Sequence, residues 1–277
     1  MAENYIFDNI KVSNYSRLYL PENLTATNLE VENNSIVESL TTTTIKSGQF
    51  SISNNGSLIG PDQDFIKIDV SDLTVQSGSK IMANVKINAQ NLLIDSISGI
   101  SADGKGYPSN EGPGAGSPPA GGTYGGKGGG NSKELYGSST QPTDLGSGGG
   151  GFTVAPGGAG GGAIKIEIQD TLALDGIISA NGENGDYDVR DHSFSFGGGG
   201  SGGSIYIITT NFTGPGLIQA NGGDGGKSDS IFGGGGGGGG RIAIYSQVNN
   251  FSEVVQAKGG AGAGYEVGQD GTIYLSE

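Results

Sequence analysis

Apolar and polar positions alternate at a two-residue step from Ala163 to Ile168, where Ile164, Ile166 and Ile168 are separated by Lys165 and Glu167. The alternation resumes at Leu172 and Leu174 and again at Ile178 and Ala180. Each segment can bury one face as a short strand, so the stretch predicts one rung of three strands. The same arrangement recurs along the chain around an apolar residue that follows Asn, Asp, Gln or Thr. These anchors are Ile10, Leu29, Phe50, Leu73, Leu92, Leu172, Phe212 and Phe251.

The first five anchors are 19, 21, 23 and 19 residues apart, whereas those at 172, 212 and 251 are 40 and 39 apart. The extra length follows an Ile/Val-x-Ala strand end in every case: Ile100 to Ala102, Ile178 to Ala180, Ile218 to Ala220 and Val255 to Ala257. All the insertions are therefore expected to leave from one corner. They cover 103–162, 181–203, 221–240 and 258–271.

A repeat of about twenty residues built from β-branched strands, with no helical period, predicts a β-solenoid, because one rung cannot bury its apolar face until a neighbour stacks on it. The expected fold is all-β: a right-handed parallel β-helix with three short strands per rung and the glycine-rich insertions stacked at one corner. Right-handedness follows from the general preference for right-handed crossovers. Residues 1–102 read as compact rungs and 103–277 as a continuation of them, in one elongated domain. Eight rungs would make a rod of roughly 40 Å at the inter-strand spacing.

Composition changes the picture at the insertions. Of 57 glycines only five precede residue 100, and such enrichment without a period would signal disorder. Here the glycine runs alternate with strands that keep their pattern. An ordered layer of extended three-residue-per-turn segments is the expected form.

A net charge of −14 with only 14 Lys and Arg argues against nucleic-acid binding, which needs cations to replace phosphate counterions. It also argues against an anionic membrane surface. There are no cysteines, hence no disulfide framework, thiolate metal site or thiol nucleophile. The residues from Met1 to Tyr5 lack a basic and apolar leader pattern, and no stretch reaches the eighteen apolar residues of a membrane span. No membrane insertion is expected, and a leader would lie outside these residues.

The chemical motifs are weak. Glycine strings match GxGxxG in many registers, but none opens an amphipathic helix. The run from Asn221 to Gly226 is similar to calcium-binding glycine-aspartate repeats without placing its Asp correctly. Asp186, Asp188 and Asp191 offer hard oxygen ligands, so calcium is the one cofactor considered and a solvated loop is the alternative; otherwise no cofactor or metal site is expected. His192 is the single histidine, and no nucleophile elbow accompanies it. External acids such as Asp69, Glu167 and Asp170 fall on different rungs rather than as a paired site, and no catalytic residue is assigned. Thr41 to Thr44 form one threonine run and not a regular array.

Aromatic residues in the insertions are better candidates. Tyr124, Tyr136, Tyr187, Phe194, Phe196 and Phe232 could each pin a loop or present a flat face to a sugar or a partner; Tyr107 and Tyr265 share that setting. At the two ends, Ile10 and Val12 and then Ile273 and Leu275 sit on strands with no evident cap, a template for pairing with another copy.

Several glycine-rich stretches carry a resemblance: Gly121 to Gly130, Tyr136 to Ser138, Leu145 to Gly151, Gly199 to Ile205, and Gly233 to Gly240 running into Arg241 to Ile244. In that order, residues from about 97 to 275 resemble a glycine-rich solenoid region of large secreted or surface proteins of bacteria, plants and protists. The resemblance implies an extracellular structural or adhesive role without a catalytic signature. A looser likeness to polyglycine-rich phage tail-tip adhesins would imply aromatic display loops and a virion location, but the regular Ile strands depart from that pattern.

The expectation is a non-enzymatic extracellular or cell-surface protein, either a self-assembling filament subunit or an adhesin. Its partners would be further copies of itself, joined head to tail, and surface carbohydrate. The alternatives are a phage receptor-binding adhesin reading glycans through aromatic loops and a polysaccharide-degrading β-helix enzyme.

Overall fold

A computed structural model describes residues 4–188, 195–227, 232–252 and 254–276. Among these, every regular element is a β-strand. Nine long strands form one sheet: β1 (Asn4–Val12), β3 (Asn23–Val31), β5 (Thr43–Ile52), β7 (Phe65–Val75), β9 (Asn84–Ile94), β11 (Ala163–Leu174), β15 (Ser204–Gly214), β17 (Arg241–Phe251) and β19 (Thr272–Ser276). Eight short ones form a second: β2 (Arg17–Tyr19), β4 (Ile36–Glu38), β6 (Ser57–Ile59), β8 (Lys80–Met82), β10 (Gly99–Ser101), β12 (Ile177–Ser179), β16 (Leu217–Gln219) and β18 (Val255–Gln256). A two-stranded hairpin, β13 (Tyr187–Asp188) with β14 (Ser195–Phe196), lies in the second insertion. The chain visits the two large sheets in turn, and successive strands within each pair in parallel.

Two of the three strands expected per rung are fused into one element. Burial in β3 falls at Leu24 and Ala26 and then at Leu29 and Val31, so the inward alternation slips by one residue midway. The pairing skips Asp8 with Thr27 and Gly48 with Ser71 at that point. Each long strand thus has a first arm and a second arm meeting at a corner. In β11 an extra residue between Ile168 and Thr171 produces a bulge at the same corner.

Register is set by the anchors. Ile10, Leu29, Phe50, Leu73, Leu92, Leu172 and Phe212 face one another strand by strand. Phe251 departs from this: Asn249 takes the position opposite Phe212, yet the Phe251 ring stacks on Phe212 with centroids 4.3 Å apart. A second ladder, Ile66, Val85, Ile164, Ile205 and Ile242, comes from the first arms. A third, Val37, Leu58, Ile81, Ile100, Ile178 and Ile218, comes from the short strands. All these ladder residues except Ile10 are buried in one core. The turn from second arm to short strand uses Asn33 and Asn34, then Asn54 and Asn55, with φ between 51° and 61°, a left-handed conformation that asparagine tolerates better than most residues.

The four insertions leave the core at equivalent buried alanines, Ala102, Ala180, Ala220 and Ala257. Each is closed at its base, because the returning N–H of Gly162, Gly203, Gly240 or Gly271 donates to the carbonyl of the departing alanine at 2.6–2.8 Å. Closure at a fixed base lets insertion length vary without disturbing rung register, since loop length itself costs little.

Candidate functional site

The longest glycine run, residues 233–240, is the centre of the lateral layer. Its donors rotate among three neighbours with a three-residue period. Gly234, Gly237 and Gly240 donate to Gly226, Gly223 and Ala220; Gly235 and Gly238 to Pro119 and Gly122; Gly236 and Gly239 to Glu266 and Gln269. Its carbonyls rotate among three others: Gly235 and Gly238 accept from Gly199 and Gly202, Gly236 and Gly239 from Gly129 and Gly126, and Gly234 and Gly237 from Ala263 and Gly260. The run is thus an extended three-fold helix bonded to six surrounding segments. No direction is left for a side chain, which accounts for eight consecutive glycines. Residues 197–203 repeat the period, donating in turn to Asp186, Gly150, Gly235, Glu183, Ser147, Gly238 and Ala180.

Side-chain amide and carboxylate oxygens reinforce the lattice at the departure corner. Asp103 Oδ1 accepts from the Asn181 N–H, Asn181 Oδ1 from Asn221, and Asn221 Oδ1 from Lys258. A parallel set runs from Asn184 Oδ1 to the Asp224 N–H, and from Asp224 Oδ1 to Ala261. Sequence reasoning met Asn221 and Asp224 only as part of a calcium-like run and missed Asp103, Asn181 and Asn184. The available signal was Ala-Asn-Gly directly after the strand at both 180–182 and 220–222.

Tyr124 and Tyr136, weighed as loop pins or as ligand contacts, are brought together with ring centroids 4.7 Å apart. Tyr124 is wholly buried, and its hydroxyl lies 2.7 Å from Ser204 Oγ. Tyr136 donates to the Leu145 carbonyl at 2.6 Å. Arg241, at the start of β17 and only 6 % exposed, stacks its guanidinium over the Tyr124 ring at 5.3 Å. Its Nε donates to the Tyr136 carbonyl at 2.9 Å and its Nη1 to Thr272 Oγ1 at 3.2 Å. The node therefore pins the 103–162 insertion to the last rungs, and Tyr124 has no face to offer a sugar.

Burial pushes the Tyr124 phenol up to about 12 and raises that of Tyr136 as well. The folded state favours the neutral phenols, whereas an unfolded tyrosine ionises near pH 10. Their contribution is complete below pH 10 and is lost as pH rises from there through the folded values, because the unfolded chain releases protons first. In an absorbance titration of tyrosinate, two of the eleven tyrosines are expected to ionise only as the fold is lost. Eleven tyrosines titrating together near pH 10 with the fold intact would contradict this placement.

The remaining aromatic candidates divide. Phe196 is 7 % exposed, the setting expected of a ring that pins its loop. Tyr187 and Phe232 are exposed near the far ends of the second and third insertions, as is Tyr265 in the fourth. Phe194, with Asp191 and His192, lies outside the described residues. Among the described residues no group of three or more His, Asp or Glu is arranged to hold a metal ion. Asp69 accepts from Asn88 Nδ2 at 2.8 Å, Asp170 from Asn211 Nδ2 at 3.0 Å, and Glu167 pairs with Lys165 at 3.0 Å.

The outermost strands of the nine-stranded sheet are β1 and β19. Val12 is buried and Ile10 half-buried, so the exposed apolar groups of β1 are instead Ile6 and Phe7. Phe7 and Ile10 line an open apolar cavity of about 520 Å³ with Leu18, Leu20 and Leu24. At the other edge Ile273 and Leu275 continue the inward positions of Ile242 and Ile244, and they remain exposed. No helix among the described residues is long and apolar enough to cross a membrane.

Compared with protein-family models, curated proteins and solved structures, the chain matches none.

Proposed function

We propose that the chain is a non-enzymatic structural protein, a right-handed parallel β-solenoid with three faces per rung, whose copies stack head to tail into filaments outside the cell. The observation that carries this reading is at the two outermost strands of the nine-stranded sheet: an apolar cavity beside β1 and exposed Ile273 and Leu275 on β19. A β1 strand added beside β19 in the same parallel sense would cover these residues and occupy the open main-chain groups, and a heterologous contact of this kind does not close. The reading assigns no catalytic residue, cofactor or nucleic-acid partner. The extracellular or cell-surface location rests on the glycine-rich resemblance.

Negative-stain electron microscopy across a concentration series tests it. Fibres of uniform width are expected for the native chain. Phe7→Asp, at one end, and Ile273→Pro, at the other, are each expected to leave discrete short particles. Short particles from the native chain at every concentration would overturn the proposal.

A second reading, a carbohydrate-binding adhesin of cellular or phage origin, is favoured by the exposed rings of Tyr187, Phe232 and Tyr265 on three successive insertions. Under it, glycan-array binding would disappear in Phe232→Ala while fibre formation stayed unchanged.

A further inference from the structure

The outer surface of the first arms carries a column of lysines that the filament reading does not use. Lys67 on β7 faces Lys86 on β9, which faces Lys165 on β11. Lys46 on β5 stands in the adjoining column, opposite Asp69. Like charges directly across neighbouring strands destabilise a sheet. Lysine on a strand often protects an exposed edge, but β7, β9 and β11 are the fourth, fifth and sixth of nine strands, so edge protection does not explain this column.

The local charge is opposite to that of the molecule. Four of the chain's 14 cations lie here, within a net charge of −14, and the acids facing them from the adjoining column are Asp69 and Glu167. Asp69 is engaged by Asn88 and Glu167 by Lys165. Among the described residues no carboxylate is within ion-pairing distance of Lys46, Lys67 or Lys86. Two of the ammonium groups rest on rings, Lys86 over Phe65 at 4.6 Å and Lys165 over Tyr206 at 5.7 Å, contacts that orient a cation without neutralising it; Lys165 is in addition paired with Glu167, so Lys67 and Lys86 are the column's uncompensated charges. Beyond Lys165 the column is closed off: Tyr206 is 8 % exposed, and the Tyr245 hydroxyl donates to the Thr140 carbonyl of the first insertion at 3.0 Å.

We propose that this strip binds a linear acidic polysaccharide, its carboxylate or sulfate groups running along the direction in which the strands stack. The strip presents one cation about every 4.8 Å. Each strand of duplex DNA carries one charge about every 3.4 Å, closer than the lysines stand, and a duplex wide enough to overhang the strip would meet the acidic remainder of the surface. A polymer with its charges spaced on sugar rings suits the spacing.

Surface plasmon resonance of the full chain over immobilised polygalacturonate, heparin, neutral dextran and duplex DNA at low salt tests the proposal. Binding to at least one of the two acidic polysaccharides and not to dextran is expected, weakening as salt is added. Lys67→Gln with Lys86→Gln should lose about tenfold in affinity, and Lys67→Arg with Lys86→Arg should retain it. Lys80→Gln with Lys133→Gln, which removes equal charge elsewhere, should stay close to the native value. Equal losses in the two Gln pairs, absence of binding to both acidic polymers, or DNA bound as tightly as either would overturn it.

Discussion

Gly237→Ala is expected to destabilise the folded chain by about 3 kcal/mol, a fall of roughly 5–10 °C in Tm. The added Cβ would overlap the carbonyl oxygen of Gly200. That obstacle is backbone, so it cannot swing aside as a side chain would. Moving Gly237 away is no easier, because its N–H donates to Gly223 and its carbonyl accepts from Gly260, both at 2.8 Å. One methyl group must therefore spread at least three segments at once. Thermal unfolding followed by circular dichroism, with the exposed Ser132→Ala as reference, reads the effect. Equal midpoints for the two variants would mean that the octaglycine run is not enclosed as described.

Arg241→Ala should cost a similar amount, about 3 kcal/mol, and act on a particular place. It removes the cation stacked on Tyr124, leaves the Tyr136 carbonyl without its donor and opens space in a buried position. Unmet buried polar groups and lost packing each contribute at this scale. The first insertion would loosen before the rungs do. Tryptic cleavage after exposed Lys133 should accelerate by at least about tenfold, since such cleavage follows the population of the open form. Arg241→Lys should fall between, keeping the charge while losing the planar fork that reaches Tyr136 and Thr272 together. A cleavage rate unchanged in Arg241→Ala would rule out the clamp.

The rungs were legible in the sequence because stacking imposes its own spacing. Leu29, Phe50, Leu73 and Leu92 must superpose for the core to fill, so the period near twenty survives any change in the turns. The insertions announced their corner through Ile-x-Ala for the same reason. Their internal order was only half legible. Glycine shows where side chains are excluded, but the hydrogen bonds join main-chain groups such as Gly202 and Gly238, which carry no side chain to identify the partner. Tyr124 and Tyr136 were legible only as either loop pins or contact faces, because a ring in a glycine-rich segment has no periodicity to fix its direction. The residue that turns them inward, Arg241, is 105 positions beyond Tyr136. The lysine column stayed hidden because Lys86 and Lys165 become neighbours only once the 60-residue first insertion is looped out.

The six-fold enclosure of residues 233–240 has a thermal consequence. Burial of Ile and Leu in the rungs gives a heat-capacity change of one sign on unfolding, and burial of peptide groups gives the other. The rungs bury hydrocarbon, and their cohesion weakens on cooling. The glycine layer buries mainly amide groups, with a few rings and methyls such as Tyr124, Phe196, Ala120 and Ala155. Joined at four alanines, the two parts of the molecule contribute to the heat-capacity change of unfolding with opposite signs, so the stability curve of the whole should be flatter on cooling than that of a hydrocarbon column of the same length.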